Sequence, residues 1–336
     1  MKISVICPVF NEEKYIRDCI ESLLQQDFSW SDSEILLVDG ASTDKTRQII
    51  AEYAEKYRFI RLLNNPLKIT PVSLNIGIRE AKNDIIFRID AHTTYPPNYF
   101  SILSKYLIEL NADNVGGICR TLPGGKSLIS GAIAKAMSSI FGMGNSYFRI
   151  GAKAIMEVDT VPFGCFRRDI FDRIGLFDEE LIRNQDDEFN GRIIKNGGKI
   201  FLIPDVIIDY FARDKISNFS KMFYQYGLFK PLVNKKLGSA TTLRQFFPLF
   251  FIVSLVITFI FTIFQLIGYQ LLLLIPGIYT ILAVAFAIKE SVSIYQAFLL
   301  PFLFFILHIS YGWGYLVGII KFRLLRVSGI KVKVNR

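Results

Sequence analysis

Three clusters of acidic residues stand where predicted buried strands end. Asp39 follows the apolar run EILLV, Asp90 follows DIIFRI, and Asn11, Glu12 and Glu13 follow ISVICPV. Carboxylates gathered from successive strand ends are costly to bury unless they meet a cation or hydrogen-bond donors. A nucleotide carrying a divalent metal supplies both. Asp90-Ala91-His92 sets a carboxylate and an imidazole two positions apart, and in extended geometry both point the same way, towards one ion. Mg2+ prefers oxygen ligands, whereas Mn2+ accepts imidazole more readily. Arg88 shares that strand face and is placed to approach a phosphate. The plainer reading of His92 is a hydrogen-bonded structural side chain.

A further acidic run, Asn184-Gln185-Asp186-Asp187-Glu188, opens a predicted helix. The helix dipole favours negative charge there, so part of the run needs no functional account. If a group is transferred to a hydroxyl, one of these acids must take its proton. The chain has two histidines, and only His92 lies in the first 214 residues, so no other imidazole competes for that role. No Ser-His-Asp or Cys-His nucleophile is arranged. Neither GxGxxG nor GxxxxGK[ST] occurs, which leaves dinucleotide and P-loop readings without footing. Asp44, with Ser42 and Thr43, reads as a cap of the following helix, whereas Asp39 sits directly on a strand end.

The elements that must hold these groups repeat a strand-then-helix unit. Residues 3–9, 34–40, 59–64 and 84–91 are strand-like; residues 13–26, 43–57, 72–81 and 97–110 have helical apolar spacing. The alternation predicts an α/β fold built on a parallel, doubly wound sheet that binds ligand at the carboxyl ends of its strands. Beyond Gly116 the pattern is less regular, with strand-like runs at 158–166 and 199–210 bracketing a helix from Asp186 to Asn196. Residues 127–149 read either as a core helix or as an interfacial helix on lipid.

Charge separates the chain into two parts. Of 39 basic and 30 acidic residues, 13 basic and one acidic fall in 215–336. These cations flank long apolar runs, which excludes a polar nucleic-acid binder. Residues 246–288 carry no charge, enough for two membrane helices, at about 246–268 and 271–288, with a turn near Gly268-Tyr269-Gln270. A third uncharged stretch, 291–320, predicts a helix at about 297–320, followed by a basic tail over 321–336. Three crossings would put that tail outside, against the positive-inside rule. Two resolutions stay open: an exception, or a re-entrant fold-back at Tyr311-Gly312-Trp313-Gly314. The four cysteines have no metal-ligand spacing and suit free thiols in a reducing compartment. The N-terminal apolar run is too short for a signal peptide, so the first domain is expected in the cytosol.

Seven motifs in this order carry a resemblance: PVFNEE (8–13), VDGASTDKT (38–46), LNIG (74–77), RIDAH (88–92), VDTVPFGCFRRDIF (158–171), IGLFDEEL (174–181) and NQDDEFNGRIIKNGGKI (184–200). Together they resemble the inverting family-2 glycosyltransferases of GT-A fold over about residues 1–235. The DAH variant, the NQDDEFNGR string and YQYG (224–227) are most similar to succinoglycan-type exopolysaccharide glucosyltransferases.

The resemblance implies that Pro8, Val9, Asn11 and Glu13 line a nucleoside pocket and that Asp39 holds uracil or ribose. Asp90 takes the first position of the DxD metal motif, with His92 where the second Asp is usual, for Mg2+ or Mn2+. Arg88 joins the donor site. Asp186 becomes the catalytic base, with adjacent Asp187 as the fallback, and Gln225 and Lys230 fall near the donor diphosphate. The implied enzyme is a multi-pass protein of the cell membrane with a cytosolic catalytic domain. It moves a sugar, glucose from UDP-glucose, with inversion onto a lipid-pyrophosphate-linked saccharide among membrane lipids, with no role for nucleic acid. The alternative is a polyprenyl-phosphate glycosyltransferase.

Overall fold

The computed structural model describes residues 2–265 and 269–327. Among them the chain forms two compact units, one of 2–120 and 151–210, the other of 121–150 and 211–327.

The first unit is organised by a mixed sheet of β1 (Ile3–Val9), β2 (Glu34–Asp39), β3 (Ile60–Asn64), β4 (Ile85–Arg88), β5 (Asn114–Leu122), β6 (Met156–Glu157), β7 (Cys165–Arg167) and β8 (Ile200–Phe211). Strand order is β3-β2-β1-β4-β7-β5-β8-β6. The parallel sheet expected from the alternation is confined to β3-β2-β1-β4; β7 runs antiparallel to β4 and β5, and β6 antiparallel to β8. Every residue of β1 and β2 is buried, which is why both read as unbroken apolar runs rather than alternating ones. Helices α1 (Ile16–Leu24), α2 (Thr46–Lys56), α3 (Thr70–Glu80) and α4 (Tyr99–Glu109) follow β1 to β4 in turn. Because β2 pairs on one side of β1 and β4 on the other, the chain reverses direction across the sheet at β1. Loops after these strands therefore diverge around a crevice at their carboxyl ends.

Two sequence expectations change here, and one strand was not expected. The strand over 84–91 stops at Arg88, so Asp90-Ala91-His92 lies in a loop and turn, not in extended geometry. The run 158–166 pairs only near its ends, through Met156–Glu157 and Cys165–Arg167; Phe163 between them has a φ of 49°, which no strand accommodates. Strand β5 has no apolar run to announce it, because Gly116 and Gly117 stand at its centre. A Cβ on Gly117 would come within 2.5 Å of the Val206 carbonyl oxygen, and one on Gly116 within 2.7 Å of Val161. Close strand approach requires glycine there and removes the hydrophobic signal.

Helices α8 (Asp169–Ile174) and α9 (Gln185–Lys195) complete this unit. Phe189 anchors α9, stacking on Phe177 and Phe171 with ring centroids 4.4 and 5.2 Å apart. Burying such a ring contributes about 1.5–3 kcal/mol, enough to fix the helix that carries Asp186.

In the second unit, residues 127–149 form three pieces, α5 (Leu128–Met137), α6 (Ile140–Met143) and α7 (Tyr147–Ile150). Ser127 caps α5 by accepting the Ser130 N–H at 3.1 Å, and Gly144, with φ 60°, ends α6. The helices α10 (Ile216–Leu237), α11 (Phe247–Ile263), α12 (Tyr269–Glu290) and α13 (Ile294–Gly318) follow. Segments Arg244–Ile263, Leu272–Glu290 and Ile294–Leu324 are long and apolar enough to cross a membrane. Gly268 of the expected α11–α12 turn and residues 328–336 of the basic tail lie outside the described residues; Tyr269 and Gln270 already belong to α12.

The fold-back at Tyr311–Gly314 does not form: α13 is helical through it. Its glycines serve close helix packing instead. A Cβ on Gly314 would lie 2.2 Å from the Tyr224 carbonyl oxygen of α10, and one on Gly312 at 2.2 Å from the Pro248 carbonyl oxygen of α11. Gln225 and Lys230 belong to α10, where Gln225 is buried.

Candidate active site

Three neighbouring strand ends supply most of the site. After β1, Asn11 takes left-handed backbone (φ 55°) and ties its loop to the one after β2. Its N–H donates to Ser42 Oγ at 2.9 Å, and its Oδ1 accepts the Thr43 N–H at 2.8 Å. Glu13 Oε2 accepts the Lys45 N–H at 3.0 Å in the same seam. Pro8 and Val9 are the last residues of β1, both buried. Asp39 ends β2 at 1% exposure; its carboxylate accepts the Ser42 N–H at 3.2 Å and faces Arg47 Nη1 at 3.4 Å. Asp44 accepts N–H donors of Thr46 at 3.0 Å and Glu13 at 3.2 Å. Burial opposes its ionisation, yet these hydrogen bonds outweigh burial and hold its pKa below the usual value. It organises the loop; the residue at the cap position of α2 is Lys45, which makes no side-chain cap hydrogen bond.

Arg88 closes β4 and turns into the acidic cluster. Its Nη2 lies 3.2 Å from Asp90 Oδ1 and 3.5 Å from Asp186 Oδ2, and its guanidinium sits 5.1 Å from the centroid of the Phe163 ring. Burial alone would lower the Arg88 pKa; Asp186 and Asp90 reverse that and raise it. The sequence suggested an arginine approaching a phosphate. The side chain instead joins two carboxylates from separate elements, the loop after β4 and the first turn of α9.

Asp186 has its pKa pushed up, first by burial, with Asp90 and Asp187 adding to the rise and Arg88 opposing it. Its side chain keeps 35% exposure, so it is both perturbed and reachable. Asp187 is half-buried on the same turn. Glu188, the third acid, is structural: buried, it pairs with Arg192, whose Nε lies 2.6 Å from its Oε1, while Arg192 also donates to the carbonyls of Ile174 and Leu176. One helix start thus divides its acids between a reachable group and a packing clamp.

Two contacts of the loop after β4 were not legible in the sequence, one to Tyr95 and one to Glu12, an acid that the sequence places at the end of the first strand. Tyr95, buried, accepts the Asp90 N–H at 2.9 Å and donates to the Asp90 carbonyl at 3.1 Å, fixing the two peptide groups that flank Asp90. Glu12, buried, brings Oε1 to 3.4 Å from His92 Nδ1. Periodicity marks neither contact: Tyr95 reaches back five residues within one irregular loop, and Glu12 comes from a different strand end.

Among the described residues no three of His, Cys, Asp or Glu gather as a metal site. By donor chemistry, a carboxylate and an imidazole, Asp90 and His92 suit a divalent cation. Mg2+-type sites commonly use one or two protein ligands with phosphates and water, and Asp90 keeps a partly exposed carboxylate. Asp39 ends β2 and Asp90 follows β4, one on either side of β1, and Asp90 and Asp186 meet through Arg88.

The profile of glycosyl transferase family 2 matches residues 4–175. The chain is 32% identical over 326 residues to the dolichyl N-acetyl-alpha-D-glucosaminyl phosphate 3-beta-D-2,3-diacetamido-2,3-dideoxy-beta-D-glucuronosyltransferase of Methanococcus voltae, covering 95% of this chain and 97% of that one. It is 30% identical over 247 residues to the succinoglycan biosynthesis protein ExoA of Rhizobium meliloti (73% and 74% covered). Among solved structures, the mannosyltransferase PcManGT from Pyrobaculum calidifontis, in complex with GDP-Man and Mn2+, has the same fold with a TM-score of 0.58 at 18% identity (96% and 87% covered). The crystal structure of S. aureus TarS 1-349 with UDP-GlcNAc gives 0.54 at 19% (94% and 90% covered). With its GT-A type mixed sheet and its acids at the strand ends, the chain belongs to glycosyl transferase family 2.

Proposed function

We propose that the protein is a membrane-attached, inverting glycosyltransferase that moves a sugar from a nucleotide sugar onto a lipid-linked saccharide during cell-surface glycan assembly. The observation that carries this reading is Asp186, a reachable carboxylate of raised pKa tied by Arg88 to the acid after β4. The first two relatives support it: the M. voltae transferase is named for a dolichyl-linked amino sugar phosphate acceptor, and ExoA for succinoglycan.

In this mechanism Asp186 deprotonates the acceptor hydroxyl, with Asp187 as the neighbouring alternative. The oxygen attacks the anomeric carbon from the face opposite the nucleotide, so an α-linked donor yields a β-linked product. Arg88 holds Asp186 in place and favours its ionised form before the proton arrives. Pro8, Val9, Asn11 and Glu13 line the nucleoside pocket; Asp39, being buried, contributes through the loop it organises. Asp90 and His92 would hold a divalent ion, Mg2+ or Mn2+, which would supply positive charge for the diphosphate leaving group. The donor is UDP-glucose and the acceptor linkage a lipid pyrophosphate. The apolar helices anchor the enzyme, with its catalytic unit in the cytosol, where its four buried free thiols remain reduced.

The test is incubation of membranes containing the protein with labelled nucleotide sugars and lipid-linked acceptors, with Mg2+, Mn2+ or chelator. The expected result is a β-linked sugar added to a lipid-linked saccharide, lost on chelation. Transfer to a bare polyprenyl phosphate would assign the alternative activity, and no transfer from any donor would end the reading.

A further inference from the structure

Both partners of the Arg88–Asp186 ion pair are tied to one short segment, residues 160–164, in the connection between β6 and β7. The Arg88 guanidinium stands 5.1 Å from the centroid of the Phe163 ring, and a ring face at that distance restrains the plane of the cation. The main chain joins them as well, since the Arg88 N–H donates to the Gly164 carbonyl at 2.9 Å. Phe163 is strained. Its φ of 49° lies in the left-handed region, which a residue with a bulky side chain occupies only where its surroundings enforce it. Tyr99 of α4, fully buried, supplies that restraint by donating to the Phe163 carbonyl at 2.9 Å. Glycine follows at 164, where a Cβ would overlap Asn114 Oδ1.

The other end of the segment grips α9. Thr160 Oγ1 accepts from Asn190 Nδ2 at 2.8 Å, and Asn190 Oδ1 accepts from Asn114 Nδ2 of β5 at 2.9 Å. All three side chains are buried. Asn190 stands four positions after Asp186, one turn along the same face of the helix. Phe189 anchors α9 by apolar packing, which has no preferred direction; a buried hydrogen bond fixes distance and direction together. Neither Thr160 nor Asn190 is ionisable, so neither competes with Asp186 for a proton.

We propose that residues 160–164 form the positioning element of the candidate base: Phe163 fixes Arg88, and the Thr160–Asn190 hydrogen bond fixes the helix turn that bears Asp186. Reach is what the segment controls. At 3.5 Å the Nη2 to Oδ2 contact already exceeds the roughly 2.7–2.9 Å of a close charged hydrogen bond, so a shift of about 1 Å in either partner breaks it. Thr160, Phe163 and Asn190 are thus positioning residues, acting through Arg88 and α9. The proposal rests on Asp186 as the base and deepens that reading by naming what sets its geometry.

Transfer assays on membranes containing the full chain test it. Thr160→Val keeps the shape and loses the hydroxyl; Phe163→Leu keeps an apolar side chain and loses the flat face. Each should lower kcat by about 10- to 100-fold, the cost of misplacing a reacting group by about 1 Å, with the KM for the nucleotide sugar held within about twofold. Thr160→Ser, which retains the hydroxyl, should recover kcat to within about threefold of the parent. Parental kcat in both Thr160→Val and Phe163→Leu overturns the proposal, and so does a loss of kcat that Thr160→Ser shares in full. Thermal unfolding in detergent needs no transfer. Thr160→Val and Arg88→Met combined should lower Tm by less than the sum of their separate losses, because both loosen the same contact. The pair Phe163→Leu and Arg88→Met serves equally where Thr160→Val fails to fold. Additive losses overturn the proposal even where kcat falls as expected, whereas sub-additive losses in a chain that transfers no sugar support the arrangement and end only the reading of the reaction.

Discussion

The guanidinium of Arg88 reaches Asp186, with Nη2 3.5 Å from Oδ2, although the two residues come from the end of a strand and the start of a helix nearly a hundred positions later. The same nitrogen lies 3.2 Å from Asp90. One cation therefore joins the acid proposed for the metal to the acid proposed as base.

If Asp186 removes the acceptor proton, Asp186→Asn lowers kcat by about 10²- to 10⁴-fold while donor binding persists. Radiolabel transfer and calorimetric titration with the nucleotide sugar check the two halves. Full turnover in Asp186→Asn, with loss in Asp187→Asn, moves the role one residue along.

The raised pKa of Asp186 also sets a pH dependence of stability. The folded protein holds this proton above the ordinary value of 3.8. Stability from that proton is therefore complete below about pH 4 and is lost as pH rises through the folded pKa. Asp186→Asn removes a charge that the fold disfavours. Its Tm should exceed that of the parent at pH 7, with the gap closing towards pH 3.5, as scanning calorimetry in detergent would record.

Arg88→Met leaves the two carboxylates without their shared cation. Breaking a buried pair on one side costs about 3–5 kcal/mol, and the partial exposure of Asp186 points to the low end. Without the arginine the pKa of Asp186 rises further, so the acid limb of the rate profile should move to higher pH. Arg88→Lys keeps the charge without the two-way reach and should recover stability more than rate.

Glu12 approaches the imidazole that stands in the second position of the metal motif, at 3.4 Å. Loss of a carboxylate behind a metal-binding histidine typically costs 10- to 100-fold in affinity. Glu12→Ala is accordingly expected to raise the Mn2+ concentration for half-maximal transfer by about that factor. An unchanged metal requirement would remove His92 from the ligand set.

Gly117→Ala drives a methyl group to within 2.5 Å of the Val206 carbonyl oxygen in the middle of the sheet. Backbone on the facing strand cannot yield cheaply, so a loss of about 1–3 kcal/mol or more is expected in thermal unfolding, with no direct contact to the acids.

The strand-helix units of the first 110 residues, the three apolar C-terminal segments and the acids at the strand ends were all legible in the amino-acid order, because each is a local pattern. Burial on both faces makes β1 and β2 continuous apolar runs, and a span needs only length and hydropathy. Strand β5 was hidden because its centre is glycine, chosen by the approach of Val161 and Val206 from elsewhere in the chain. Glu188 has a local signal, Arg192 four positions on in the same helix, whereas nothing local gave Asp186 its partner; the tertiary structure did, by bringing Arg88 beside it. The fold-back suggested by Tyr311-Gly312-Trp313-Gly314 was a local reading of glycines whose actual function is to admit α10 and α11 at backbone contact. Composition and periodicity determine which elements form. Which side chains meet depends on how distant segments exclude one another from the same space, and that is decided only in three dimensions.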